Sequence, residues 1–192
     1  GKIFYTSITS LSHISKISGI VMSIGRELRL PGVGDIRPSE SAAVIKGDGQ
    51  DMAGDIMIWG FPKYDKRGLL INARAESIFE RKTFRECALR RRCVIPAKGF
   101  YEWNQNKEKY SYERSEFPVL FMAGCYDLEN RFVIITTEAN PSVSPVHDRM
   151  PLIIEPNELE DWIFDDHAAN DILHKTPPIL NAKTEYEQMS LF

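Results

Sequence analysis

The chain has 192 residues, of which 43% are hydrophobic and 27% charged, and its net charge is −3. That length and balance fit one globular domain with a real core and exclude fibrous and disordered classes. No apolar run approaches the roughly 20 residues that cross a bilayer, and the opening GKIFYTSITS lacks the anatomy of a secretory signal, so the cytoplasm is the expected compartment.

The modest net charge hides an asymmetry. Between Gly60 and Arg114 there are 14 Lys/Arg against 7 Asp/Glu, and from Pro151 to Phe192 there are 2 against 9. Such a distribution describes either two solvated faces or a local phosphate-binding face in a chain without a basic pI. Cys87, Cys93 and Cys125 are odd in number and lack CxxC spacing. They form neither a disulfide framework nor a zinc site and read as small buried hydrophobes. No metal and no cofactor is expected.

In chain order, KGDGQ (46–50) reads as a hairpin turn between the strand-like SAAVI and GDIMIWGF. LLINARAE (69–76) reads as a strand end. The spacing of AESIFERKTFRECALRR predicts a helix over 75–91, with Ile78, Phe79, Phe84 and Leu89 as its apolar positions. Strand-like runs follow: CVIPAKGFYEW, then KYSYE beyond an NQNKEK hairpin loop, then PVLFMAGCYD and RFVIITTE. EPNELEDWIF (155–164) reads as a helix with Pro156 near its start, and HAANDILHK as another that stops at Pro177-Pro178. The sum is a strand-rich α+β protein with a few peripheral helices. There is no GxGxxG, no P-loop and no βαβ alternation, which speaks against a nucleotide-cofactor enzyme.

Four polar groupings stand out. Glu102 lies between Tyr101 and Trp103 in GFYEW. On a strand it shares a face with Phe100 and either points to solvent or is desolvated, in which case its pKa rises and it becomes a proton-transfer group. His147, Asp148 and Arg149 lie in a polar loop, SPVHDRMPLII (144–154), that opens onto an apolar strand. They form either a turn or a functional loop held by the sheet. His13, His167 and His174 have no comparable neighbours and read as surface residues. Asn72 and Arg74 alternate with the small Ala73 and Ala75, which suits contact with a base edge and a phosphate, or equally a cap and ion pair for the next helix. Trp59, Phe61 and Tyr64 are interleaved with Lys63, Lys66 and Arg67, as in single-stranded nucleic-acid grooves. Trp59 is expected in the core and Tyr64 at the surface.

Taken together and in order, WGF, LLINARAE, FRECALRRRCVIPAKGFYEW and TTEANPSVSPVHDRMP resemble the SRAP family of abasic-site processing proteins, over nearly the whole chain. The resemblance implies a compact strand-rich fold with a positively charged channel for single-stranded DNA, placed here in residues 1–187. It implies a monomer that acts in DNA repair and the SOS response, associated with the nucleoid. It also implies a covalent cross-link: the α-amine and thiol of an N-terminal Cys attack the ring-opened sugar of an abasic site, forming a Schiff base and then a thiazolidine. AP-lyase activity and autoproteolytic exposure of that Cys belong to the same picture.

Carried onto this chain, the resemblance makes Glu102 the proton shuttle, His147 the group assisting ring opening or reversal, and Asn72 the residue that orients the N-terminus. Lys2, Pro38, Tyr64, Arg74, Trp103, Thr136 and Arg149 fall where relatives line the DNA site. GKIF aligns with the Gly-Arg-aromatic segment that follows the nucleophile, so the Cys is expected immediately before Gly1. Lys2 in place of Arg removes a bidentate phosphate contact. GDIRPSE departs from the family's pattern, and the aromatic wedge is shortened to Tyr64. The alternative is a non-covalent module for single-stranded DNA or junctions. The ending QMSLF, through Gln188, Met189, Leu191 and Phe192, resembles the peptide that docks on the bacterial sliding clamp, the other reading being a last strand on the sheet.

Overall fold

The structure, a computed structural model, describes residues 2–4, 34–115 and 119–184. Strands β1 (Lys2–Phe4) and β2 (Asp35–Ile36) precede a hairpin of β3 (Ser41–Asp48) and β4 (Asp51–Trp59). Its turn carries Gly49 at φ 64°, a conformation glycine adopts without strain. The short β5 (Phe61–Pro62) and β6 (Leu69–Leu70) pair with each other. β7 (Asn72–Arg74) runs into a 3-10 turn, Ala75–Ser77, and then helix α1 (Lys82–Arg90). Next come β8 (Arg92–Ala97), β9 (Gly99–Trp103), β10 (Lys109–Glu113), β11 (Leu120–Tyr126) and β12 (Arg131–Glu138). β13 (Arg149–Pro151), β14 (Ile153–Ile154), α2 (Leu159–Phe164), α3 (Asp166–Leu173) and β15 (Asn181–Thr184) complete the described chain.

Among the described residues the strands form two main sheets. One runs β15-β10-β9-β1-β2. The other closes on itself, because β12-β4-β3-β8-β11 is joined back by a β11–β12 pairing, with β13, β14 and β7 attached outside the ring. Closure removes free strand edges. It also forces a close approach: a Cβ on Gly124 of β11 would lie 2.5 Å from Ile95 Cδ1 and 2.9 Å from the Val133 carbonyl oxygen.

β3, β8, β11 and β12 of the ring are largely buried on both faces, which explains their continuous apolar runs, whereas β4 leaves Ile58 44% exposed. Ile45, Val94, Phe121, Val133 and Ile135 pack outward under Phe84, Trp162 and Leu173 of the helices. Val44, Cys93, Ile95, Met122, Phe132 and Ile134 point the other way, into a cluster shared with Phe100 and Tyr112 of the second sheet. Strict alternation along each strand delivers the two sets.

Two expectations need correction. The helix expected over 75–91 is a 3-10 turn followed by α1, which starts only at Lys82. Ile78 and Phe84 are both buried in the same cluster. Six residues apart on one helix they would point about 120° from each other, so the break lets both reach the core. Leu89 is 40% exposed, and Cys87 and Ala88 take the inward positions. The run CVIPAKGFYEW divides at Lys98, so that β8 belongs to the ring and β9 to the second sheet. The three cysteines are buried as expected, and burial pushes the Cys93 and Cys125 thiols well above their ordinary value, which leaves them inert.

Candidate active-site cleft

Between the two sheets opens a cleft of about 240 Å³, and its lining includes Asn72, Arg74, Glu102, Thr136, His147 and Arg149. Six candidates, scattered over 78 positions of sequence, thus line one cleft. Trp59 closes the floor. It is 2% exposed, donates from its indole N–H to the Ile71 carbonyl at 2.9 Å, and stacks on Phe132 with ring centroids 6.3 Å apart.

Glu102 is the penultimate residue of β9, directly opposite Tyr110 of β10. On the other side of β9, β1 pairs Lys2 with Tyr101, so the chain enters the sheet from its amino-terminal end beside Glu102. Burial pushes the Glu102 carboxyl above the ordinary value of 4.5, and the positive charge available at His147 only partly opposes this. A carboxyl that burial makes a weaker acid keeps its proton to higher pH and can give it to a substrate and take it back.

His147 is set by a loop that is pinned from within. Asn140, 3% exposed, donates from Nδ2 to the Pro177 and Pro178 carbonyls at 2.9 and 2.8 Å, and its Oδ1 receives the Ser142 amide at 3.0 Å. The turn over 141–146 is closed by the His147 amide donating to the Val143 carbonyl at 3.0 Å. The Arg149 amide donates to His147 Nδ1 at 3.0 Å, which fixes the orientation of the ring. The Arg149 carbonyl lies 3.0 Å and an Asp148 carboxylate oxygen 3.4 Å from the same ring nitrogen.

The two cleft arginines differ in freedom. β7 runs parallel to β12 in a register that puts Asn72 beside Ile134 and Arg74 beside Thr136. Asn72 and Arg74 point outward while Ala73 is buried, as the alternation predicts. Arg74 occupies the cap position of the 3-10 turn without capping it, and among the described residues no carboxylate pairs with it. Its charge faces the cleft uncompensated. Arg149, in contrast, is clamped. Its Nη1 and Nη2 donate to the two Glu76 oxygens at 3.0 and 2.8 Å, and Nη2 also donates to the Thr136 carbonyl at 2.7 Å. The Arg149 guanidinium in turn holds the Glu76 carboxyl below its ordinary value.

Glu76 is the participant that sequence reasoning missed. It stands two residues after Arg74 in NARAE, where alternation puts it on the cleft side, but its partner lies 73 positions away. Other candidates lie outside the cleft lining: Trp103 at the end of β9, where it is tilted against Tyr101 with centroids 6.4 Å apart, and Pro38, half-buried in the turn before β3. Tyr64 stands fully exposed in the β5–β6 connection. Lys2 is described through its backbone pairing alone. Gly1, His13, Gln188, Met189, Leu191 and Phe192 lie outside the described residues. Among the described residues no group of His, Cys, Asp and Glu could hold a metal ion, and no helix is long and apolar enough to cross a membrane.

Comparison with known proteins agrees with this architecture. The family model described as SOS response associated peptidase (SRAP) matches residues 24–190. The abasic site processing protein YoaM of Bacillus subtilis is 32% identical over 156 residues, covering 72% of this chain and 69% of its own. The abasic site processing protein YedK of Escherichia coli is 24% identical over 140 residues, covering 67% of this chain and 63% of its own. Among solved structures, a protein from Bacteroides thetaiotaomicron superposes with a TM-score of 0.74 at 21% identity, over 95% of this chain and 91% of the other. A phage-related protein from Bordetella bronchiseptica gives 0.74 at 22% identity, over 96% and 93%. These two likenesses speak to the fold.

Proposed function

This chain belongs to the SRAP family, and on that premise we propose that it recognises abasic sites in single-stranded DNA and joins to them covalently. The observation that carries this reading is a protonatable, half-buried Glu102 facing His147 in one cleft, beside the strand that leads from the amino terminus. Two relatives named for abasic site processing support the choice of substrate.

The nucleophile in this reading is the α-amine of a Cys immediately before Gly1, oriented by Asn72. The neutral amine adds to the C1′ aldehyde of the ring-opened sugar, giving a carbinolamine. Glu102 protonates the departing hydroxyl, water leaves, and an imine forms. The thiolate then adds to the imine carbon, the nitrogen takes up a proton, and the thiazolidine closes. His147 moves the proton that opens the sugar ring. Arg74 meets a phosphate, and Lys2, Pro38, Tyr64, Trp103, Thr136 and Arg149 border the path of the strand. Because Glu76 already occupies both terminal nitrogens of Arg149, Arg74 supplies the larger share of charge to the DNA. Strand cleavage by β-elimination from the imine is the accompanying lyase activity, and self-removal of a leader is the accompanying peptidase activity.

The test is to mix the protein with a single-stranded oligonucleotide bearing one abasic site, add borohydride and run a denaturing gel. A shifted band with the abasic strand and none with the intact strand is expected. Equal binding to both strands in a native assay, without any trapped band, would instead establish the non-covalent module.

The tail is a separate proposal. If Gln188, Met189, Leu191 and Phe192 dock on the bacterial sliding clamp, deletion of residues 188–192 abolishes clamp binding in a pull-down and leaves DNA binding intact. Loss of the folded domain on the same deletion would make the tail structural.

A further inference from the structure

The second sheet carries a buried hydroxyl that the proposed chemistry does not yet use. Tyr112 of β10 is 0% exposed, and its ring stacks on Phe100 with centroids 5.1 Å apart and planes 20° from parallel. Its hydroxyl has no hydrogen-bond partner among the described residues. A phenylalanine would fill the same place without stranding a donor, and buried tyrosine hydroxyls ordinarily find a partner.

The register says where that partner lies. Tyr112 is opposite Phe100, and Tyr110 is opposite Glu102. All four side chains leave the same face of the β9–β10 ladder. Glu102 is thus the diagonal neighbour of Tyr112, at a separation that aromatic and long side chains span. The charge of Glu102 is felt at the Tyr112 hydroxyl, which burial first and that charge second push up to about 12. The hydroxyl therefore remains a proton donor throughout the range in which the carboxyl titrates.

We propose that Tyr112 is a positioning residue for Glu102, its hydroxyl being the donor that receives the carboxylate each time Glu102 has released its proton. This rests on the reading of Glu102 as the proton shuttle. In the structure Glu102 lines the cleft and the Tyr112 hydroxyl stands unpaired, an arrangement that suits the uncharged acid. After Glu102 gives its proton to the departing hydroxyl of the carbinolamine, the anion accepts Tyr112 O–H and is held in place until it takes a proton back. Tyr112 itself neither gains nor loses a proton. The other groups facing Glu102 are His147 and Asp148 from the loop before β13, Tyr110 from β10, and the amino-terminal end of the chain that β1 brings alongside β9.

The experiment is Tyr112→Phe, which removes one oxygen atom and keeps the ring stack, with Tyr110→Phe as the control. The Glu102 side-chain carboxyl is titrated by ¹³C NMR in the free protein, its signal identified by loss in Glu102→Gln. Losing a hydrogen bond to the charged form raises the titration midpoint. A rise of roughly half a pH unit or more in Tyr112→Phe is expected, with no comparable rise in Tyr110→Phe and a parallel upward shift in the pH profile of borohydride trapping. An unmoved midpoint in Tyr112→Phe, or a larger move in Tyr110→Phe, overturns the proposal whatever the protein does to DNA. A moved midpoint in a protein that traps no DNA overturns the reading of function and leaves the contact between Tyr112 and Glu102 standing.

Discussion

Glu102→Gln is expected to slow trapping on abasic DNA by about 10²- to 10⁴-fold, the usual range for removing a general acid–base group, and at the same time to make the protein more stable. Both effects have one cause. The cleft desolvates the carboxyl and holds its pKa above the ordinary 4.5. The folded state therefore keeps its proton to higher pH than the unfolded chain does. As pH rises from about 4.5 toward the folded value, the unfolded chain releases its proton first, and stability is lost across that window. Glutamine fills the same volume and never ionises. Thermal melts of the two proteins should coincide below pH 4 and diverge above it, with the variant melting higher at neutral pH. Native-gel affinity for intact single-stranded DNA should change little, because Glu102 contributes no attraction to phosphate. A variant that is both active and no more stable would show that Glu102 sits in solvent and moves no proton.

The second large effect concerns the amino terminus. A chain beginning Cys-Gly-Lys is expected to form a cross-link that survives denaturation without borohydride, because thiol addition converts the reversible imine into a ring. A chain beginning Gly-Lys offers an amine and no thiol. It should be trapped only by borohydride, form a hydrolysable imine otherwise, and release cleaved strand by β-elimination. The internal cysteines cannot substitute, since Cys87, Cys93 and Cys125 are buried and carry no free amine. The comparison is made on one gel, with and without reductant. Cross-links of equal stability from both chains would exclude the thiazolidine. Supplying the thiol as a separate small molecule should not rescue the Gly-Lys chain, because the advantage of the Cys is that both nucleophiles arrive together.

Much of this site is legible in the amino-acid sequence. GFYEW, NARAE and HDRMP point to Glu102, Asn72, Arg74, His147 and Arg149, and alternation along NAR correctly turns Asn72 and Arg74 away from the buried Ala73. The exposure of Glu102 is not legible there. An acid between two aromatics on a strand reads either way until the opposite wall is known, and that wall is the loop pinned by Asn140 to residues far along the chain. The clamp on Arg149 is illegible for a similar reason. Glu76 looks like any acid beside a helix, and only the parallel pairing of β7 with β12 brings it to a cation 73 residues later.

By itself the sequence determined what is local or periodic: the turn at Gly49, the helical start near Pro156, the strands around Val94 and Ile134, and the family that these motifs declare. Tertiary structure alone decided which strands share a sheet, where the 75–91 segment breaks, and which of two arginines remains free to meet a ligand. The division follows from range. Periodicity and turn chemistry act over a few residues and can be read from neighbours, whereas desolvation and ion pairing depend on groups that only the closing of the ring brings within a few ångströms of each other.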